Sequence, residues 1–216
     1  MNEARPFELD LPWALAPGQY VESILATTQQ VNDRTEEMAS EIIERYKGLD
    51  PYFIILMAGG IQFGSKLMFS VARQDPNFHP VVDYITISSY GSGTQAGELK
   101  LVTNLRPETI ENHLLEDRPV IGIDDGLDLG NTAAYTQKHT LSYKARSFDL
   151  CVLVQKNNPR TLFPSATMFG FESPQGKWLS GMGLDNGPAF KEANRWFGAI
   201  AILGGEPESS SLPRTA

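Results

Sequence analysis

The sequence is short of several things, and each shortage excludes something. It holds one cysteine in 216 residues, Cys151. A single thiol closes no intrachain disulfide, so a reducing cytoplasm is the expected compartment. Cys151 lies in the apolar run "LCVLV" and reads as a buried structural thiol. No apolar run approaches the ~18 residues that would suggest a membrane span. The opening stretch "MNEARPFELDLPW" is acidic and lacks the apolar segment of a secretory signal. Basic residues are scarce as well: 18 Lys and Arg against 26 Asp and Glu, a net charge of −8. That balance does not suit a protein whose task is to wrap nucleic acid. It leaves room for a small anionic substrate, because a metal ion can invert the local field. His79, His113 and His139 show no spacing that suggests a metal site or a catalytic triad, and are assigned to surface or packing. Neither "MAGG" nor "GSGT" fits a dinucleotide fingerprint or a P-loop. There is no internal repeat.

What is present is ordinary for a globular protein: 41% hydrophobic and 20% charged residues. The length suits one decorated domain, and such a chain buries about 70% of its unfolded surface. Residues 1–26, broken by Pro6, Pro12 and Pro17, read as irregular. Thr27 with Gln30 forms a capping box, and Val31, Met38, Ile42 and Tyr46 share one helical face that ends near Gly48. Residues 52–58, "YFIILMA", form a continuous apolar run, as a strand buried on both faces requires. A glycine pair follows, then a helix marked by Phe63, Leu67 and Val71. Further strands are expected at 81–90, 119–124, 148–155, 167–172, 177–185 and 198–203, and helices at 131–145 and 188–197. Residues 91–98, "GSGTQAGE", read as a mobile loop, and the tail after Gly204 as disordered. Alternating strands and helices predict an α/β fold with a doubly wound, mainly parallel sheet. Ligands then bind beyond the carboxyl ends of the strands, at 58–61, 89–99 or 124–132.

The last of these loops, "VIGIDDGLDLGNT", carries the most chemistry. Asp124 and Asp125 close an apolar strand, and Asp128 follows. Adjacent acids repel unless a cation or hydroxyl donors lie nearby. Gly130, Asn131 and Thr132 then open a helix, whose free amides favour an anion. Acids for hydroxyls and metal beside amides for phosphate suggest a sugar phosphate. A capped turn with solvated acids is the plainer reading, and spacing alone does not choose between them.

The motif resembles the phosphoribosyl-pyrophosphate motif of type I phosphoribosyltransferases: an apolar strand, two acids, two small or apolar residues, then D-[TS]-G-x-T. More of the chain is similar to one branch, the hypoxanthine-guanine phosphoribosyltransferases. "IILMAGG" resembles its pyrophosphate loop, and "DYITISSYGSGT" its flexible catalytic loop. "LVQKNNPR" and "FGFESPQGKWLSGMGLDNGPAFK" resemble its purine-reading and closing segments. The matches keep order and spacing from about residue 20 to 203.

The resemblance implies an N-terminal segment (1–26) that contributes to a small hood, a core sheet (27–165), a hood and closing segment (166–203) and a tail (204–216). It implies purine salvage: transfer of 5-phosphoribosyl from phosphoribosyl pyrophosphate to hypoxanthine or guanine, giving IMP or GMP and pyrophosphate. Asp128 would be the general base at purine N7, a role open to a carboxylate at hydrogen-bond distance. Asp124 and Asp125 would hold the ribose hydroxyls and, through water or substrate, Mg2+. Leu129, Gly130, Asn131 and Thr132 would take the 5′-phosphate; Gly59, Gly60 and Lys191 the pyrophosphate. Ser89 and Tyr90 would close over the reaction and exclude water. Lys156 would read the 6-oxo group, Trp178 stack on the base, and Leu179 and Asp185 complete the purine site, Asp185 also binding Mg2+ directly. A homodimer or homotetramer is implied, with no nucleic-acid or membrane partner.

The chain departs from the family pattern at five places, one of them Trp178, an indole where Phe or Tyr is usual. Asp124 is often glutamate. Leu129 stands where a hydroxyl is usual, a loss of one hydrogen bond to a charged group, ~1.5–3 kcal/mol. Ala58 stands where many members carry lysine. Lys191 stands where arginine is usual, and lacks the bidentate fork. The departures at Leu129, Ala58 and Lys191 motivate a competing reading, a non-catalytic nucleotide-sensing regulator on the same scaffold that binds RNA or a protein partner; a phosphoribosyltransferase for xanthine or another acceptor is a third.

Overall fold

The computed structural model describes residues 6–90, 98–185 and 193–205; for Ser89, Tyr90 and Glu98 the description is of the backbone alone. The expected mobile loop lies outside these residues except for Glu98, as do the tail beyond Gly205 and part of the expected 188–197 helix.

A six-stranded sheet forms the centre. β2 (Tyr52–Met57), β3 (Val81–Tyr90), β5 (Pro119–Leu127), β6 (Ser147–Lys156) and β7 (Met168–Ser173) run parallel, and β4 (Glu98–Thr103) adds antiparallel to β3; the order is β4-β3-β2-β5-β6-β7. The mainly parallel α/β expectation holds. β4 is not among the expected strands: the sequence marks 91–98 as a loop and no element before 119. β7 belongs to this sheet, so the sheet runs past the boundary drawn at residue 165.

The continuous apolar run of β2 splits between two cores because successive strand side chains point to opposite faces. Phe53 and Ile55 pack with Val31, Met38 and Ile42 of α1 (Thr28–Tyr46) and with Phe63 and Leu67 of α2 (Gly60–Gln74). Tyr52, Ile54 and Leu56 face the other core, which includes Ala133 of α4 (Asn131–Ser142). Helices therefore cover both faces. α1 begins as expected, with both hydrogen bonds of the Thr27–Gln30 capping box, and Gly48 follows its end at φ +75°. A short α3 (Pro107–Glu111), also absent from the sequence reading, is tied in by the buried Asp83 carboxylate. That group accepts hydrogen bonds from Thr109 Oγ1 (2.7 Å) and Tyr52 Oη (3.2 Å).

A second, three-stranded antiparallel sheet has the order β1-β9-β8, from β1 (Tyr20–Ala26), β9 (Ile200–Gly204) and β8 (Trp178–Ser180). Here the irregular reading of 1–26 is corrected. Residues 7–10 form a 3-10 turn and Tyr20–Ala26 a strand, because the partner strand is some 180 residues away in the chain. Asn194 fixes this segment: its Oδ1 accepts from Ala14 N (2.8 Å) and its Nδ2 donates to Ala14 O (2.9 Å). The described part of the expected 188–197 helix, residues 193–197, is a turn, not a helix. Among the described residues, no helix is long and apolar enough to cross a membrane. Cys151 is fully buried, and burial pushes its thiol far above the ordinary range.

Candidate active site

A cavity of about 560 Å³ lies at the carboxyl ends of β2, β3, β5 and β6, with Trp178 and Leu179 of the small sheet on its wall. This is where ligands bind in open α/β sheets. β5 continues to Leu127, three residues past the expected end at 124, so Asp124 and Asp125 sit within the strand and Asp128 just beyond it. The Asp124 carboxylate accepts from the Asp125 amide at 2.9 Å. Burial pushes the Asp124 carboxyl well above the ordinary range, and the neighbouring Asp125 charge adds to this. Asp125 is also pushed up by burial, which its hydrogen bond with Asp124 and the charge of Arg195 only partly offset.

The turn into α4 needs glycine. Gly130 has φ +73°, and a Cβ there would stand 2.7 Å from both the backbone nitrogen and Cβ of Phe163. The Leu129 carbonyl accepts from Leu162 N at 2.7 Å, so residues 161–163 hold this turn from behind. The first amides of α4, at Asn131 and Thr132, have no partner within the helix and point where an anion is favoured.

The glycine pair after β2 is required by its close approach to β5. A Cβ on Gly59 would collide with the Asp125 carboxylate, and one on Gly60 would stand 2.7 Å from the Ile123 carbonyl. The 57–60 turn, which includes a cis peptide between Met57 and Ala58, thus lies directly on the acid pair.

Asp128, Lys156 and Trp178 come together from three segments. Lys156 Nζ is 3.0 Å from Asp128 Oδ2 and 5.9 Å from the centre of the Trp178 ring. Asn158 Nδ2 donates to Asp128 Oδ1 at 2.7 Å. Burial alone would raise the Asp128 carboxyl; the Asn158 hydrogen bond and the Lys156 charge outweigh it and hold the group below the ordinary range. Asp128 is therefore an ionised acceptor at neutral pH. A second hollow of about 340 Å³ opens beside it, between residues 156–160 and 175–178. Trp178 is 45% exposed, an open aromatic face at the mouth of the site. Leu179 is buried in β8, paired with Ile202.

At the other end stands Asp185, its Oδ2 3.1 Å from the Arg195 guanidinium, which is also 3.9 Å from Asp125 Oδ2. Among the described residues, Arg195 and Asn158 are site residues that the sequence does not single out. Asn158 follows Lys156 by two positions at the same sheet end as the acids, which could have flagged it. Arg195 carries no such signal: it lies in a stretch read as helix, and only the turn at 193–197 brings it inward. Ser88 borders the cavity, but the side chains of Ser89 and Tyr90 lie outside the described residues, as does Lys191. The histidines stand apart from the site: His79 and His113 are exposed, and His139 Nε2 contacts Asn104 Oδ1 at 2.7 Å. Among the described residues, no group of three or more His, Cys, Asp or Glu could by itself hold a metal ion.

No family model matches the chain. The hypoxanthine-guanine phosphoribosyltransferase of Aquifex aeolicus is 30% identical over 166 residues, 76% of this chain and 86% of that protein. The enzyme of the same name from Bacillus subtilis is 26% identical over the same length, again 86% of it. The bifunctional protein TilS/HprT of Listeria monocytogenes is 28% identical over 166 residues, and the chain spans only 24% of its length. Among solved structures, a hypoxanthine phosphoribosyltransferase from Staphylococcus aureus superposes with a TM-score of 0.72 at 23% identity, over 85% of this chain and 92% of that one. That from Trypanosoma cruzi does so with a TM-score of 0.72 at 25% identity, over the same shares. The chain belongs to the hypoxanthine-guanine phosphoribosyltransferase family.

Proposed function

We propose that the protein is a purine-salvage transferase that moves 5-phosphoribosyl from phosphoribosyl pyrophosphate to hypoxanthine, guanine or both. The observation that carries this is the Asp128 cluster: an ionised carboxylate, gripped by Lys156 and Asn158, beside the exposed face of Trp178 and one turn before an anion-favouring helix end. In the reaction a purine ring nitrogen bonds to C1 of the ribose as the bond from C1 to pyrophosphate breaks, pyrophosphate leaves with that electron pair, and Asp128 takes the N7 proton. Lys156 turns from Asp128 to the 6-oxo group, which an amino group could not satisfy. Trp178 covers the base, with Leu179 reading it through its backbone. The 5′-phosphate rests on the amides of residues 129–132. Leu129 offers its N–H alone, and Asn131 is the side chain placed to replace the missing hydroxyl. Asp124 and Asp125 take the ribose hydroxyls; their raised carboxyls suit hydroxyl partners and a cation.

The donors are hard oxygens on Asp124, Asp125 and Asp185, too dispersed for an all-protein cage. That fits Mg2+ carried largely by substrate phosphates and water. Bound there, Mg2+ supplies neutralisation of the departing charge. Gly59 and Gly60 flank the pyrophosphate; the family resemblance would have Lys191 join them and Ser89 and Tyr90 close over the centre. The protein works in the cytoplasm as a homodimer or homotetramer.

The test is a coupled spectrophotometric assay with phosphoribosyl pyrophosphate and magnesium, offering hypoxanthine, guanine, xanthine and adenine separately. Turnover with hypoxanthine or guanine and none with adenine supports the reading. Turnover with xanthine alone redirects it to another acceptor. Folded protein that binds the nucleotide product but turns over no base favours a nucleotide-sensing regulator.

A further inference from the structure

Pyrophosphate brings several negative charges to one end of the cavity, and that end is already acidic. Asp125 and Asp185 are there, and Ala58, in the turn that borders the same cavity, carries no charge. Among the described residues that border the cavity, the basic ones are Lys156 and Arg195. Lys156 is committed to Asp128 at the purine end.

Arg195 is buried and held at the acidic end. One guanidinium nitrogen donates to the Gly183 carbonyl and lies 3.9 Å from Asp125; the other donates to Asp185 at 3.1 Å. The backbone adds a further tie, Gly183 N to Arg195 O at 2.9 Å. Gly183 in turn, at φ +95°, packs so closely on the 57–60 turn that a Cβ would enter the Gly59 carbonyl. A buried guanidinium is costly unless its charge and donors are answered. Its planar fork can answer two carboxylates, or a phosphoryl group, at once.

We propose that Arg195 is the fixed cation of the pyrophosphate end. It compensates Asp125 and Asp185 when the site lacks ligand and contacts pyrophosphate oxygens when they arrive, supplying the positive charge that Ala58 lacks. This rests on the transferase reading for the identity of the anion, but its test does not need turnover.

The probes are inorganic pyrophosphate and IMP, titrated calorimetrically into purified full-length protein, with and without magnesium. Arg195→Gln should weaken pyrophosphate binding about ten- to a hundredfold while leaving IMP within about twofold, because IMP spans the other end of the cavity. Arg195→Lys should restore part of the affinity, having charge without the fork. Unchanged pyrophosphate affinity in Arg195→Gln would overturn the proposal. So would equal losses for both ligands with a lowered Tm, which would make Arg195 a structural pin. If Arg195→Gln does not fold, Arg195→Lys decides: several-fold weaker pyrophosphate binding supports the role, and wild-type affinity rejects it. Wild-type protein that binds pyrophosphate through Arg195 yet shows no transfer would sink the transferase reading and leave this one standing.

Discussion

Lys156 Nζ stands 3.0 Å from Asp128 Oδ2, across 28 residues of chain. One residue ends β6 and the other follows β5, and the two strands pair in parallel, so the sheet itself brings them together. The pair joins the proposed proton acceptor to the cation proposed to read the base.

Asp128→Asn should keep nucleotide binding and lose turnover by about 10²–10⁴-fold, the usual share of general-base catalysis. Steady-state rates beside calorimetric binding of IMP check this. Full activity in the variant would remove Asp128 from the chemistry.

Asn158→Ala should move the acidic limb of the kcat/KM profile to higher pH. The Asn158 hydrogen bond stabilises ionised Asp128 and helps hold its carboxyl below the ordinary range. Without it the carboxyl gains its proton at higher pH, and the base form is lost sooner on acidification. A limb that stays in place would mean Asn158 only orders the loop.

The ligand-free protein should become less stable as pH rises. Asp124 and Asp125 are pushed above the ordinary carboxyl range in the fold, foremost by burial. Between the unfolded value of about 3.9 and their raised folded values, the native state holds more protons than the unfolded chain. Unfolding free energy therefore declines through that window. Asp124→Asn should flatten the decline in thermal unfolding followed against pH. An equal slope in the variant would count against the assignment.

Gly183→Ala should destabilise more than Gly176→Ala. Both positions have positive φ, +95° and +71°. A methyl at Gly176 meets nothing within 4 Å and costs only backbone strain, ~1–2 kcal/mol. At Gly183 it also enters the Gly59 carbonyl, so the larger fall in Tm, about 2–4 °C per kcal/mol in a chain of this size, is expected there. Equal shifts would show that the turn yields.

Asn194→Ala should loosen the N-terminal segment. It strips two hydrogen bonds from Ala14 and one from Ser180 Oγ in a buried setting, ~1–3 kcal/mol. Limited proteolysis should then cut ahead of β1 faster than in the wild type.

Much of the fold was legible in the sequence because its signals are local. The Thr27–Gln30 box starts α1 whatever surrounds it. The apolar run at 52–58, bounded by Pro51 and Gly59, reads as a strand buried on both faces, and the acids at 124, 125 and 128 with Gly130 mark a strand-to-helix turn. β1 was not legible, since Tyr20–Ala26 alternates weakly and becomes a strand only against β9. β4 likewise depends on the edge that β3 offers. The sequence by itself determined the alternating α/β order and put Asp124, Asp125, Asp128 and Lys156 at one end of the sheet, because strand direction and hydrophobic period are short-range properties. Only the tertiary structure decided that Asn158 grips Asp128, that Gly59 and Gly183 press against each other beside Asp125, and that Arg195 turns inward to Asp185. Those contacts join segments distant in the chain, and burial, not spacing, sets their energies.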